Sequence, residues 1–415
     1  MEKALLVIPH ISKRDEWDIE DVKSELMSLV VSAGGEVSDL LVCPLKEINA
    51  SYYIGKGKVY EINGRAGELG TEVVIFDCDL SPAQQREIED IVDIKVIDRT
   101  QLILDVFAGR AKSNEGKIQV ELAQLNYLLP RLSGKGIELS RLGGGIGTRG
   151  PGEQKLEIDR RRIKEKISHL KSRLDILRKR RDNLRTQRRR NALPLISLVG
   201  YTNAGKSSLL NALTKSDVLV DNRLFSTLDA VTRRLSLPNN QDVLLTDTVG
   251  FLHNLPHGLI ESFKATLEEV QGADILIHVI DVSSHLLNEK FKSVNNVLQE
   301  LGADKKPVIN VLNKTDQTPS KKFIERMKDE FPDSVAVSCK TGEGLDNLLC
   351  LLTRKLDYLN TTIKLSIPFS RMDIASEISA HGEILEKEFT ENGVDIKARL
   401  PKFIADRLQG KLNEK

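Results

Sequence analysis

Aromatic side chains are scarce in this 415-residue chain, at 4% with a single tryptophan, and there are only four cysteines. Cys43, Cys78, Cys339 and Cys350 lie far apart with no Cys-x-x-Cys spacing, which excludes a structural zinc site and a disulfide framework. Trp17, beside the first helical segment, reads as a packing residue rather than a base-stacking platform. No apolar run approaches the roughly 18–20 residues of a membrane span. Met1 to His10 is a short apolar stretch soon followed by charges. It reads as a first β-strand, because a secretory signal needs a longer apolar centre and a small-residue cleavage site. No lipidation motif is present, so the expectation is a soluble, cytoplasmic protein without a membrane anchor. Net charge is nearly absent too. The 61 Lys+Arg and 60 Asp+Glu leave +1, which excludes a uniformly basic, histone-like protein.

That balance conceals an asymmetry. Residues 131–190 hold 20 Lys/Arg against 7 Asp/Glu, a local excess of 13 that leaves the remainder of the chain at −12. A basic segment joined to acidic bodies points to a polyanionic partner, most simply nucleic acid.

The length predicts two to four domains. Residues 1–98 alternate strand-like runs (Leu5–Ile8, Gly35–Val42, Glu72–Phe76, Ile94–Ile97) with helical spacing at Asp18–Ala33 and Ser81–Val92, predicting a small parallel α/β unit. Residues 99–192 read as a long antiparallel coiled-coil hairpin. Leu104, Ala111, Ile118, Leu125 and Leu132 step by seven, as do Leu156, Ile163, Leu170, Leu177 and Leu184. Between the two series, residues 133–152 hold 8 glycines in 20 positions, with Arg131 just before and Lys135, Arg141 and Arg149 within, predicting a glycine-rich basic tip. Residues 193–358 resume a strand–helix alternation, with strands at Leu195–Val199, Val243–Thr246, Ile275–Asp281, Val308–Leu312 and Ser334–Val337, and predict a second, mostly parallel α/β domain. Residues 359–415 suffice for a small α+β module, with strands at Ile363–Ile367, Glu383–Phe389 and Val394–Leu400 and helices near Ile374 and Phe403.

The chemistry concentrates in the third segment. Gly200-Tyr201-Thr202-Asn203-Ala204-Gly205-Lys206-Ser207 fits GxxxxGK[ST] between an apolar strand and a helical run that begins with Ser208. Glycines let backbone N–H groups wrap a phosphate, Lys206 neutralises the β/γ oxygens, and Ser207 offers a hydroxyl to Mg²⁺. Asn313-Lys314-Thr315-Asp316 selects the base. A carboxylate at Asp316 accepts from guanine N1–H and the 2-amino group together, whereas adenine leaves it partly unpaired. Asn313 can serve both guanine and the phosphate loop, the Lys314 stem can lie over the ring, and Ser338-Cys339-Lys340 suits a backbone donor to guanine O6. Asp247-Thr248-Val249-Gly250 ends a strand. There Asp247 would reach Mg²⁺ through water and the Gly250 N–H would meet the γ-phosphate. Within Phe225-Ser226-Thr227-Leu228-Asp229, Thr227 is the expected second hydroxyl on Mg²⁺, with Thr232 its rival. The catalytic set is therefore Lys206, Thr227 and Gly250.

These five elements are those of a translation-factor-type GTPase domain. The run from Gly143 to Arg162, leading into the second heptad series, resembles the HflX family, as do residues 200–207, 225–229 and 247–251. The resemblance implies a cytoplasmic GTPase that uses GTP/GDP and Mg²⁺, binds the large ribosomal subunit and takes part in splitting ribosomes under stress. Arg141 and Arg149 then become rRNA contacts at the tip, with Arg160, Arg161 and Arg162 on the helix above. No DNA partner is expected, and a monomer is. Phe251 stands where a water-orienting glutamine often sits, so intrinsic hydrolysis should be slow and stimulated by ribosomes. Asn203 matches GTPases in which this side chain helps bind a monovalent cation, making K⁺ an expected cofactor. Two other readings stay open: an anti-association or hibernation factor whose hydrolysis only resets affinity, and an RNA-remodelling NTPase acting through residues 1–98. Ile54-Gly55-Lys56-Gly57-Lys58 lacks phosphate-loop spacing and reads as a tight turn before a helix. His253 and His257, lacking a third ligand, read as surface residues of a loop.

Overall fold

The computed structural model describes residues 1–11, 17–132, 151–190, 193–215, 224–225, 228–253, 256, 264–318, 320–357 and 360–413. It forms two compact units: Met1–Arg178 with Asp221–Asp229 and Asn254–Ala265, and Lys179–Val220 with Ala230–His253 and Thr266–Lys415.

The first unit opens with β1 (Lys3–His10), α1 (Ile19–Ala33), β2 (Glu36–Pro44), α2 (Lys56–Leu69), β3 (Val73–Phe76), α3 (Pro82–Val92) and β4 (Lys95–Asp98). The four strands are parallel in the order β2-β1-β3-β4. Local signals set the helix ends. The Asp18 side chain caps α1, and Gly34 closes it at φ +88°. Ser81 and Gln84 form a reciprocal capping box at α3 with Pro82 in its first turn. Leu5, Val7, Val74, Phe76 and Val96 of the sheet pack with Val59, Ile62 and Ile88 of the helices into one core. Trp17 is buried, and Gly55 serves as the N-cap of α2.

The heptad series beginning at Leu104 is not one helix. The chain breaks at Ala111, whose ψ of 107° is extended, between α4 (Arg99–Arg110) and α5 (Asn114–Arg131). Ser113 caps the second helix. Leu104 is buried in α4, which packs on α1, β3 and β4. Arg131 is likewise no part of a basic tip. It donates to Asp98 Oδ2 (2.9 Å), Gln85 Oε1 (2.9 Å) and the Leu80 carbonyl (2.8 Å), with its guanidinium 3.4 Å from the Tyr127 ring centre.

Two helices of this unit share an apolar cluster. Helix α6 (Pro151–Arg190) contributes Ile163, Ile167, Leu170, Leu174 and Leu177 to a cluster with Ile118, Leu122, Leu125 and Leu129 of α5. Lys166 and Glu121 pair across the two helices at 2.5 Å. Residues 133–150, with Lys135, Arg141 and Arg149, lie outside the described residues.

The second unit carries a six-stranded sheet in the order β10-β9-β8-β5-β7-β6. Its strands are β5 (Leu195–Gly200), β6 (Val231–Ser236), β7 (Asp242–Asp247), β8 (Ile275–Asp281), β9 (Val308–Asn313) and β10 (Ser334–Ala336). The helices are α7 (Lys206–Thr214), α8 (Lys264–Gly272), α9 (Leu287–Glu300), α10 (Lys321–Glu330) and α11 (Leu345–Leu356). All neighbouring strands run parallel except β6, which pairs antiparallel with β7 at the edge. The same unit ends in β11 (Asn360–Pro368), α12 (Met372–His381), β12 (Glu383–Thr390), β13 (Gly393–Pro401) and α13 (Lys402–Asn413). The three strands form an antiparallel sheet in the order β11-β13-β12, whose core includes Ile374 and Ile378 of α12 and Leu408 of α13.

Candidate nucleotide-binding site

The site lies at the carboxyl ends of β5, β7 and β9, where parallel strands hand over to loops. After β5 the chain turns into α7 through three positive φ angles: Gly200 (+151°), Asn203 (+60°) and Gly205 (+98°). Two of these glycines are required by what surrounds them. A Cβ on Gly200 would stand 2.4 Å from the Val279 carbonyl oxygen, and one on Gly205 would stand 2.2 Å from Asn313 Nδ2. The turn leads to the positive end of the α7 dipole, which favours an anion.

Lys206 is buried, and its ammonium donates to the carbonyls of Gly200 (3.1 Å) and Tyr201 (2.8 Å). Burial lowers its pKa to about 8, opposed by the Asp247 charge. Ser207 Oγ donates to Asp247 Oδ2 at 2.6 Å, and both residues are buried. Thr248 Oγ1 ties this loop to the Leu198 carbonyl. A Cβ on Gly250 would meet Thr202 Cγ2 at 2.8 Å and Lys206 Nζ at 3.1 Å, so the bare position keeps space in front of the ammonium. Phe251 is fixed as a strand-like neighbour of Tyr201. Thr202 N donates to its carbonyl (2.9 Å), and its own N–H donates to Gly200 O (3.1 Å). Its ring is buried.

At the other end, Asn313 joins two loops. Its Nδ2 donates to the Ala204 carbonyl (2.8 Å), and its Oδ1 accepts from Cys339 N (3.3 Å). Lys314 adopts φ +65° and its ammonium pairs with Asp281 Oδ2 at 2.7 Å. Asp316 Oδ1 accepts from Ser338 Oγ (2.7 Å), which itself accepts from Thr341 N (3.2 Å). Burial, helped by the Asp316 charge, pushes the Cys339 thiol up to about 12, so it stays protonated and adds no charge beside that carboxylate. One end thus presents a buried cation at the start of a helix, and the other a carboxylate held by Ser338.

Residues 20–108 match the family model described as GTP-binding GTPase N-terminal, and residues 110–188 match GTP-binding GTPase Middle Region. Residues 195–314 match the one described as 50S ribosome-binding GTPase. The chain is 45% identical over 408 residues to GTPase HflX of Caldanaerobacter subterraneus subsp. tengcongensis, covering 98% of this chain and 93% of that protein. It is 41% identical over 403 residues to GTPase HflX of Escherichia coli K12, covering 96% and 94%. The chain belongs to the HflX family of GTPases. Among solved structures it is similar to a GTP-binding protein of the archaeon Sulfolobus solfataricus in complex with GDP (26% identity, TM-score 0.44, 85% of this chain and 98% of that one).

This HflX-family chain is therefore a P-loop GTP hydrolase, and most of its expected site comes together. Lys206, Ser207, Asp247 and Gly250 surround one end, with Tyr201, Thr202, Asn203, Ala204 and Ser208 in the loop and first helical turn and Thr248 and Val249 before Gly250. Asn313, Lys314, Asp316, Ser338 and Cys339 gather at the other end beside the exposed Lys340. Ser226 and Thr227 lie outside the described residues, as does His257. Of the neighbours of Thr227, Phe225 is buried against Phe107, Leu228 is buried, and the Asp229 carboxylate accepts from the backbone N–H groups of Lys112 and Ser113. Thr232, the rival to Thr227, sits in β6 with its hydroxyl on Thr246 at 2.9 Å. Arg160, Arg161 and Arg162 are exposed on α6.

Two residues escaped the sequence reading. Asp281 ends β8 and accepts both Lys314 and the Ser283 N–H, a role signalled by its place at a strand end, as Asp247 is at β7. His278 is a buried histidine stacked on Phe291 at 4.9 Å, and burial with the Lys206 charge lowers its pKa to about 3, so it remains neutral. No cluster of metal-ligating side chains occurs among the described residues, and no described helix is long and apolar enough to cross a membrane.

Proposed function

We propose that this GTPase works on the large ribosomal subunit, meeting rRNA with its basic helical pair and using GTP hydrolysis to control ribosome binding or splitting under stress. The observation that carries the reading is the charge of α6. Arg161 and Arg162 are exposed, and their nearest carboxylates, Glu165 and Asp159, each stand 3.8 Å away. Such loose surface pairs are worth about 0–1 kcal/mol, so phosphates can displace them with release of counterions. Arg160 adds to the same face, and Arg141 and Arg149 extend the basic surface along the sequence. The description attached to residues 195–314 supports the same partner. We place the protein in the cytoplasm as a monomer.

The nucleotide is held from both ends. Asp316 accepts from guanine N1–H and the 2-amino group, Lys314 covers the ring, and the Cys339–Lys340 backbone faces O6. Lys206 exchanges its two carbonyl partners for phosphate oxygens, and the Gly250 N–H donates to the γ-phosphate. The donor set fits Mg²⁺: the buried Ser207–Asp247 pair supplies a hydroxyl oxygen with a carboxylate behind it, and the sequence motif offers Thr227 as a second hydroxyl. Bound there, the ion would neutralise charge between the β- and γ-phosphates. The Asn203 amide, exposed in the loop, is suited to K⁺. With the Phe251 ring buried and apolar, no side chain at that position orients water. Intrinsic turnover is slow, and the ribosome supplies what is missing.

Co-sedimentation with separated subunits and intact ribosomes, in GDP and in a non-hydrolysable GTP analogue, tests the partner. The expected result is pelleting with the large subunit in the analogue, weakened by salt and by Arg160→Glu with Arg161→Glu. Absence from every pellet refutes it.

A further inference from the structure

Asp281 ends β8 and lies in register with Asn313, which ends β9. Parallel pairing therefore sets Asp281 beside the residue that precedes Lys314, and Val282 N continues the ladder by donating to the Asn313 carbonyl at 3.1 Å. Both carboxylate oxygens are engaged. Oδ1 accepts from Ser283 N (3.0 Å) and Ser283 Oγ (2.5 Å), closing a turn directly after the strand. Oδ2 takes the Lys314 ammonium at 2.7 Å. The lysine side chain is 22% exposed and that of Asp281 18%, so the pair is shielded from the screening that weakens surface ion pairs. Lys314 has a left-handed backbone (φ +65°, ψ 35°) and leads into a short turn at Thr315–Gln317. A lysine stem is flexible, and tying down its far end at Asp281 fixes the course of the methylenes between.

We propose that Asp281 is a positioning residue for the purine base: by holding the Lys314 ammonium it lays the lysine stem down as one face of the base pocket before nucleotide arrives. This rests on the reading that Lys314 covers the ring while Asp316 accepts from its edge. The rotamer freedom of the stem is then lost on folding rather than on binding, so the contact with the ring comes without that entropic cost. Two carboxylates divide the work at this end of the site. Asp316, held by Ser338, meets the donors on the edge of the base. Asp281 touches no nucleotide and orders the side chain that lies over the face. An edge contact distinguishes guanine from hypoxanthine, which lacks the 2-amino group. A face contact does not, because both bases offer the same ring.

The test uses the full chain with Asp281→Asn, Lys314→Met and the pair, measuring affinity for GDP and for inosine diphosphate by displacement of a fluorescent guanine nucleotide. Asp281→Asn keeps an acceptor for the Ser283 N–H and loses the charge, so a role confined to that turn would leave affinity untouched. Lys314→Met keeps most of the apolar stem and loses the tether. Each single variant weakens both diphosphates by the same factor, about threefold or more, and the pair is no weaker than the worse single because both remove one contact. Affinity for GDP within about twofold of wild type in Asp281→Asn overturns the proposal, as do additive losses in the pair. A loss confined to GDP overturns it too, since that would make Asp281 a reader of the edge. Lys314→Ala with wild-type affinity for both diphosphates refutes instead the reading on which the proposal rests.

Discussion

Replacing Asp316 by Asn inverts the hydrogen-bonding character of the base end of the site while keeping its shape. Ser338 Oγ holds Asp316 Oδ1 at 2.7 Å and is itself held by Thr341 N at 3.2 Å, so the carboxylate has one orientation and its remaining lone pairs face outward. Guanine donates to it twice. Hydrogen bonds to a charged partner are worth about 1.5–3 kcal/mol each, so losing two costs about 3–6 kcal/mol. At about 1.4 kcal/mol per decade, GTP affinity falls roughly 10²- to 10⁴-fold. The new amide N–H₂ matches a carbonyl at position 2 of the base, so xanthosine triphosphate gains what GTP loses. Competition of both triphosphates against a fluorescent guanine nucleotide, in wild type and variant, reads the exchange directly. GTP affinity within tenfold of wild type, or equal loss of both triphosphates, refutes the assignment of Asp316 to the base.

Other perturbations probe separate parts of the chain. Gly200→Ala places a Cβ 2.4 Å from a backbone oxygen at φ +151°, and should cost at least about 2 kcal/mol in urea unfolding. Arg131→Ala leaves the buried Asp98 carboxylate without its cation and should cost about 3–5 kcal/mol near neutral pH. Burial already raises the Asp98 pKa, with Arg131 opposing, so the folded state holds this proton more tightly than the unfolded chain. Removing Arg131 raises that pKa further. The loss in the variant is therefore greatest above the folded pKa and shrinks as pH falls through it, which unfolding curves from pH 8 to pH 4 will show. For Lys206 the sign is opposite. Its pKa of about 8 means that the folded chain binds fewer protons than the unfolded one between about 8 and 10.5, so its charging burden is relieved as pH rises through that window. Phosphate binding restores the charge. Calorimetry in buffers of different ionisation enthalpy should find proton uptake on GTP binding at pH 9 and far less from this group at pH 7.

Much of this molecule was legible because the central strands of its two largely parallel sheets are buried on both faces and its loops carry motifs of fixed spacing. Runs such as Leu195–Val199 and Ile275–Asp281 have no polar alternation to confuse them. The strand Val231–Ser236 went unread for the opposite reason. It is an antiparallel edge strand, and Arg233 and Arg234 at its centre are exposed. The seven-residue step through Leu104 and Ala111 misled because heptad spacing cannot see a cap. Ser113 ends the continuity, and the carboxylate that completes the cap comes from Asp229, 116 residues away. Arg131 misled in the same way. Counted as one more positive charge in a basic stretch, it is bound by Asp98, Gln85 and the Leu80 carbonyl, partners 33, 46 and 51 residues distant. Spacing reports local chemistry well and tertiary partners not at all.

The ribosome-coupled GTPase cycle is tested most directly by phosphate release from GTP in the presence and absence of purified large ribosomal subunits. The account predicts slow release by the protein alone and at least a tenfold acceleration by the large subunit, with ATP left unhydrolysed at the same site. Equal GTP turnover with and without subunits would contradict it.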